Sequence, residues 1–309
     1  MGSIVFVFLD GFGLAAPGPD NPMSLYDWLR LTSQLGAAPV AGEEVREQDR
    51  LLAALDCNLG VEGLPQSATG QVALLCGVNA PALLGHHLAA YPNGRLRQVI
   101  DTDNVLKHVS EAGLRATFAN AYTPEYFEAV AAGRQRHSAT TLCVLAAGLR
   151  FRMVEDLLRR EAICWDITNS GLRQRPGYEQ IPVVAPEEAG QHLAHLALSH
   201  HLVLFESFLP DVVGHSKDHA AAGELVRVLD AFIGACAAAL SPDSTLLVSS
   251  DHGNLEDLST GAHTRNRVPI MAIGAAAHHF AEAHDITEVV PAIFRALDLI
   301  GGRGRLDDV

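Results

Sequence analysis

Four stretches of this sequence place groups that bind divalent cations beside apolar runs. Asp10 closes IVFVFLD and precedes Gly11. Asp211 and His215 stand four apart after LVLFESF. Asp251 and His252 are adjacent at the end of TLLVSSDH, and His263 falls just before VPIMAIG. Taken singly, each has an ordinary explanation as a turn, a helix cap or a hydrogen-bonded histidine. Three Asp and three His in equivalent positions beside strand-like runs indicate a site. Mixed imidazole and carboxylate ligation suits two ions of Zn²⁺ or Mn²⁺. Two such ions about 4 Å apart clamp a phosphoryl group for in-line displacement.

A nucleophile candidate lies elsewhere, in GLPQSATGQVALLCG (63–77). Gly and small residues let the chain turn tightly into an apolar helix, which puts Ser67 near a helix N-terminus, where backbone N–H groups favour an anion. A serine hydroxyl is a weak nucleophile at its free pKa, and metal coordination is one way to activate it. The alternative is that Ser67 or Thr69 merely caps the helix.

The elements that must position these groups are legible as patterns. IVFVFLD (4–10), LVLFESF (202–208), TLLVSSD (245–251) and VPIMAIG (268–274) read as buried strands. PEEAGQHLAHLALSH (186–200) and AGELVRVLDAFIGACAAAL (222–240) carry apolar residues at helical spacing. Strands alternating with helices predict an α/β layer fold with a largely parallel sheet. Such sheets gather ligands at the carboxyl ends of their strands. Residues 81–185 are richer in Arg and punctuated by turn signals such as YPNGR and RQRPGYEQ. They read as an inserted cap domain, with residues 1–80 and 186–309 forming a discontinuous catalytic core; ATFANAY (116–122) is the one stretch there that could instead extend the core sheet. GGRGRLDDV (301–309) reads as a loose tail.

Composition narrows the function. Net charge is −14 and no Lys/Arg run offers a nucleic-acid face. No apolar run is long enough to span a bilayer, and the N-terminal residues lack the basic start and cleavage site of a signal peptide. The five Cys are scattered without a Cys-x-x-Cys pair, which fits a reducing cytoplasm and argues against a disulfide framework. An acidic protein that takes an anionic substrate needs a local source of positive charge, and bound metal supplies it. The doublets His86–His87, His200–His201 and His278–His279 match no motif and read as surface or packing residues.

The pieces LDGFG, SATGQVALLCG, DVVGHSKDH, SSDHGNLED and AHTRNRVPI resemble, in the same order, the alkaline phosphatase superfamily of metalloenzymes, and within it the branch of cofactor-independent phosphoglycerate mutase and phosphopentomutase. The resemblance implies an alkaline-phosphatase-like three-layer sandwich with a mostly parallel central sheet and a small inserted cap. It implies that Asp211, His215 and His263 hold one metal, and that Asp10, Asp251 and His252 hold the second together with Ser67. Ser67 is preferred over Thr69 because the family spaces its nucleophile ten residues before a helix-closing Gly, here Gly77. Gln71 stands where the mutases have His. Gln71, Asn254 and Glu256 are then expected to orient ligands, and His219 is a candidate extra ligand. SATGQ lacks the Pro and Arg of a sulfatase motif.

The resemblance further implies a two-metal phosphoryl-transfer enzyme acting on a small phosphorylated metabolite through a phosphoserine, as a phosphomutase or, alternatively, a phosphomonoesterase. A non-catalytic metal- and phosphate-binding protein is the rival of another class. Arg95, Arg97, Arg134, Arg136 and Asn120 of the cap are the candidate substrate contacts. No nucleic-acid or membrane partner is expected, and no motif speaks to oligomeric state.

Overall fold

A computed structural model of the chain describes residues 2–299; the 301–309 tail lies outside them. Nine strands are present among the described residues: β1 (Ile4–Leu9), β2 (Val45–Arg46), β3 (Arg50–Leu55), β4 (Ala116–Phe118), β5 (Ala121–Tyr122), β6 (Arg152–Met153), β7 (Leu202–Ser207), β8 (Thr245–Ser249) and β9 (Val268–Gly274). Seven of them form one sheet in the order β2-β3-β9-β8-β1-β7-β4. β8, β1, β7 and β4 are mutually parallel; β9, β3 and β2 continue the sheet antiparallel. Five strands therefore run one way and two the other.

Both faces of this sheet are dry. Along β1, Ile4, Phe6 and Phe8 enter one apolar cluster, and Val5, Val7 and Leu9 enter the other. The alternation follows from the period of two along a strand. A strand buried on both faces loses the polar-out signal and reads as a continuous apolar run, which is what IVFVFL shows. Helices Ser67–Cys76, Gly94–Thr102, Val105–Glu111, Ala139–Ala146 and Val289–Ala296 cover the first face. Helices Leu29–Leu35, Pro186–Leu196 and His219–Ala239 cover the second. The result is a three-layer α/β/α sandwich.

The expected division at residues 81 and 185 needs correction. β4 pairs in parallel with β7 as the edge of the main sheet. Leu96, Ile100, Val105, Leu106, Val109, Phe118, Cys143 and Val144 are buried in the same cluster as Phe6 and Val72. The helices Gly94–Thr102, Val105–Glu111 and Ala139–Ala146 turn their apolar sides inward and close the core. Among the described residues, Val154, Leu157, Ala162, Cys164, Leu172 and Ile181 form a separate small cluster, and the two-stranded β5–β6 sheet lies outside the main sheet. No described helix is long and apolar enough to cross a membrane.

Candidate metal centre

Three neighbouring parallel strands deliver the ligands. β1 is central, with β7 and β8 on either side, so their carboxyl ends lie together. Asp10 follows β1 by one residue and Asp251 follows β8 by two. After β7 the chain enters helix Leu209–Ser216, where Asp211 and His215 share one face at i, i+4. β9 runs antiparallel to β8, so its start, with His263 ahead of it, returns to the same end. Gly11 is required here: its φ is +75°, and a Cβ would fall 2.8 Å from the Asp211 Cα.

The side chains form two groups that share His252. Asp10, Asp251 and His252 make one; Asp211, His252 and His263 make the other; within each, one ligand atom per residue lies within 4.8 Å of the rest. His215 adjoins the second group, its Nε2 3.3 Å from Asp211 Oδ1. His252 thus sits between the two expected sites, where the resemblance placed it in one. Its ring stacks on that of His263 with centroids 3.7 Å apart. The Asp10 group is buried, whereas His215 is exposed and opens the other group to solvent.

Backbone carbonyls orient the imidazoles. His263 Nδ1 donates to the Pro65 carbonyl at 2.8 Å, and His215 Nδ1 to that of Gly261 at 3.0 Å. Each contact turns Nε2 toward Asp211, the orientation a metal-ligating histidine uses. Asn254 Nδ2 donates to Asp211 Oδ1 at 2.7 Å, and Gln71 Nε2 donates to Asp10 Oδ2 at 3.2 Å. Glu256 Oε2 accepts from the backbone of Gly13 and Asn254, and its Oε1 from Thr264 and Asn266. Glu256 therefore ties together the loops after β1 and β8.

Ser67 is the first residue of its helix, but the capping position belongs to Gln66, and no side chain caps the end. Ser67 Oγ instead lies 3.1 Å from His252 Nε2. Thr69 is fully buried, donates to the Gln66 carbonyl and accepts from Leu88 N. The choice between these two hydroxyls is thus made by packing: one faces the ligand groups and the other is consumed by the backbone.

The electrostatics ask for cations. Among the described residues no Lys or Arg lies within 4 Å of a carboxylate of Asp10, Asp211 or Asp251. Both oxygens of Asp251 are buried without a hydrogen-bond partner. Burial, and then the charges of Asp10 and Asp211, push the Asp251 carboxyl well above the carboxylate range. Burial would also raise Asp211, but hydrogen bonding from His263, the His252 charge and the Asn254 amide hold it down to about 2. Carboxylates packed this way are stable as anions only with positive charge between them. The residues present therefore fit divalent metal.

Sequence reasoning missed Glu206. It is buried at the end of β7, where Thr140 donates to its Oε2 while Oε1 has no partner. Burial, with the Asp10 charge, raises it to about 8. The signal was present: a lone acidic residue inside LVLFES is unusual for a strand buried on both faces. Two other expectations need correction. Asn120 does not face a substrate; it clamps the Glu206 backbone, donating to its carbonyl and accepting from its N–H. His219 opens a new helix after Lys217 turns left-handed at φ 59°, and its ring lies 3.7 Å from Asp20, outside both ligand groups. Arg95, Arg97, Arg134 and Arg136 are exposed; Arg97 donates to the Pro92 carbonyl, and Arg136 stacks on Tyr91 at 4.6 Å.

Residues 186–299 match the family model described as the Metalloenzyme superfamily. That region supplies Asp211, His215, Asp251, His252 and His263, while Asp10 and Ser67 reach the same centre from outside it. The 2,3-bisphosphoglycerate-independent phosphoglycerate mutase of Desulforudis audaxviator is 31% identical over 155 residues, 43% of this chain and 30% of the relative. The protein of the same name from Clostridium botulinum is 30% identical over 106 residues, 32% of this chain and 21% of the relative. The chain thus matches less than a third of the length of these relatives. Among solved structures, the PH0037 protein of Pyrococcus horikoshii aligns with TM-score 0.60 at 13% identity, over 98% of this chain and 99% of that one. A cold-active alkaline phosphatase from Shewanella sp. aligns with TM-score 0.56 at 13% identity, over 96% and 100%. The fold is therefore alkaline-phosphatase-like.

Proposed function

We propose that this protein transfers phosphoryl groups from a small phosphorylated metabolite through a phosphoserine at Ser67. The supporting observation is the position of the Ser67 oxygen, 3.1 Å from the imidazole shared by both ligand groups. Asp10, Asp251 and His252 would hold one divalent ion, and Asp211, His215 and His263 a second, as Mn²⁺ or Zn²⁺. Bound there, the ions would supply the positive charge that a phosphoryl group needs and lower the pKa of the serine hydroxyl.

The chain's own groups do the rest. Ser67 Oγ attacks phosphorus, a Ser O–P bond forms, and the bond from phosphorus to the substrate oxygen breaks in line. The leaving oxygen takes a proton and departs as an alcohol. The N-terminal turn of helix Ser67–Cys76 presents N–H groups to the oxygens that gain charge. Return of the phosphoryl group to another hydroxyl of the same molecule makes the enzyme a mutase; transfer to water makes it a phosphatase. The exposure of His215 favours the second outcome, because it opens one ligand group to water.

Hydrolysis of an aryl phosphate by protein reconstituted with Mn²⁺ or Zn²⁺ tests the reading. Activity should require metal and fall by about three orders of magnitude in Ser67→Ala. Metal that raises the melting temperature while no phosphate ester in a broad panel turns over would replace it with a binding role.

A further inference from the structure

A cavity of about 290 Å³ lies along the free edge of the sheet, lined by Thr117, Arg150, Arg152, Glu161, His195, Ser199 and His200 among others. Thr117 is in register with Val203, four residues before Ser207, so this edge lies about 13 Å along the strand from the end where the metal ligands gather. None of the lining residues belongs to the metal centre.

Arg152 makes the cavity unusual. Its residue is only 4% exposed. Nε donates to Thr117 Oγ1 at 3.1 Å and Nη1 donates to the Glu161 carbonyl, leaving Nη2 with no hydrogen-bond partner among the described residues. No carboxylate of those residues lies within 4 Å of its guanidinium. The nearby acids are engaged elsewhere: Arg150 and Arg159 share Asp156, and Arg159 also reaches Glu161. Arg115, whose Nε donates to the Ser199 carbonyl, adds a further positive charge beside the cavity. Burial, together with the Arg150 charge, lowers the Arg152 pKa from its usual value and outweighs the opposing charges of Asp156 and Glu161. A buried cation without a counterion is costly, and a bound anion removes that cost.

We propose that this edge cavity is a second, non-catalytic binding site for a small phosphate-bearing anion, anchored by Arg152. Arg152 Nη2 is the donor left free for a phosphate oxygen, and Arg150, though paired with Asp156, adds positive charge at the rim. The volume holds a phosphate with a few attached carbons and excludes a nucleic-acid strand.

Isothermal titration of the metal-loaded protein with inorganic phosphate tests the site. Asp251→Asn removes metal-dependent phosphate binding and should leave one equivalent bound. Arg152→Gln should weaken that remaining binding at least tenfold, with Arg152→Lys intermediate, and should leave the metal-dependent equivalent in place. Should Arg152→Gln fail to fold, the rim double variant Arg150→Gln with His200→Ala carries the same comparison. Complete loss of phosphate binding in folded Asp251→Asn, or binding to that variant that Arg152→Gln or the rim variant leaves unchanged, overturns the proposal.

Discussion

Gly70 and Asp251 are in backbone contact: a Cβ built on Gly70 would lie 2.8 Å from the Asp251 carbonyl oxygen. The helix that begins with Ser67 can therefore press against the loop that carries Asp251 and His252 only because residue 70 has no side chain. Gly70→Ala should force the two segments apart. The expected loss is about 1–3 kcal/mol of stability, typical of overpacking, together with a lengthened Ser67–His252 approach. Urea denaturation and the metal-dependent turnover rate check both; an unchanged rate would mean that this contact does not set the approach.

Asp251 should behave oppositely with and without metal. Stripped of cations, Asp251 must take up a proton to stay buried beside Asp10, so Asp251→Asn should raise the melting temperature of chelator-treated protein by roughly 2–4 °C per kcal/mol of that cost removed. The same substitution should abolish the stabilisation that added Mn²⁺ or Zn²⁺ gives the wild type. Paired thermal scans with chelator and with metal read both signs.

Glu206 predicts a pH slope. Its folded value is raised to about 8, above the value of about 4.3 for a free Glu. The folded state therefore keeps a proton that the unfolded state has released. Its contribution is fully present below about 4.3 and is lost as the pH rises toward 8. Chelator-treated wild type should lose stability across that window, and Glu206→Gln should show a shallower loss. Denaturation midpoints at intervals from pH 5 to 8 decide it, and parallel slopes would rule Glu206 out as a source.

All five cysteines are free and buried. Burial raises the Cys236 thiol to about 12 and pushes Cys57, Cys76 and Cys164 upward as well. Thiolate is the reactive form. A chromogenic disulfide reagent should therefore find no fast-reacting thiol in native protein and five after denaturation. A rapid single equivalent in the native state would contradict this packing.

The residue types of the centre were legible because each follows or precedes a strand that is buried on both faces, and such strands announce themselves as unbroken apolar runs. Asp10, Asp211, Asp251 and His263 were found that way. The role of residues 81–185 was not legible. β4, foreshadowed by ATFANAY, is only three residues long, and the short helices before and after it give no local sign that they share a core with Phe6, which is visible only once the sheet is assembled. Asn120 and His219 have side chains of the right type for binding, and nothing local says that one is consumed by the Glu206 backbone and the other turned toward Asp20.

The sequence alone determined the strand ends, the ligand types and the small residues that let a helix start at Ser67, because these depend on neighbours a few positions away. Tertiary structure decided which hydroxyl faces His252, that His252 stands between two ligand groups, and that Arg152 is buried without a counterion. Those facts depend on the order β8-β1-β7-β4 and on contacts between residues far apart in the chain, where burial strengthens each charge and removes the water that would otherwise balance it.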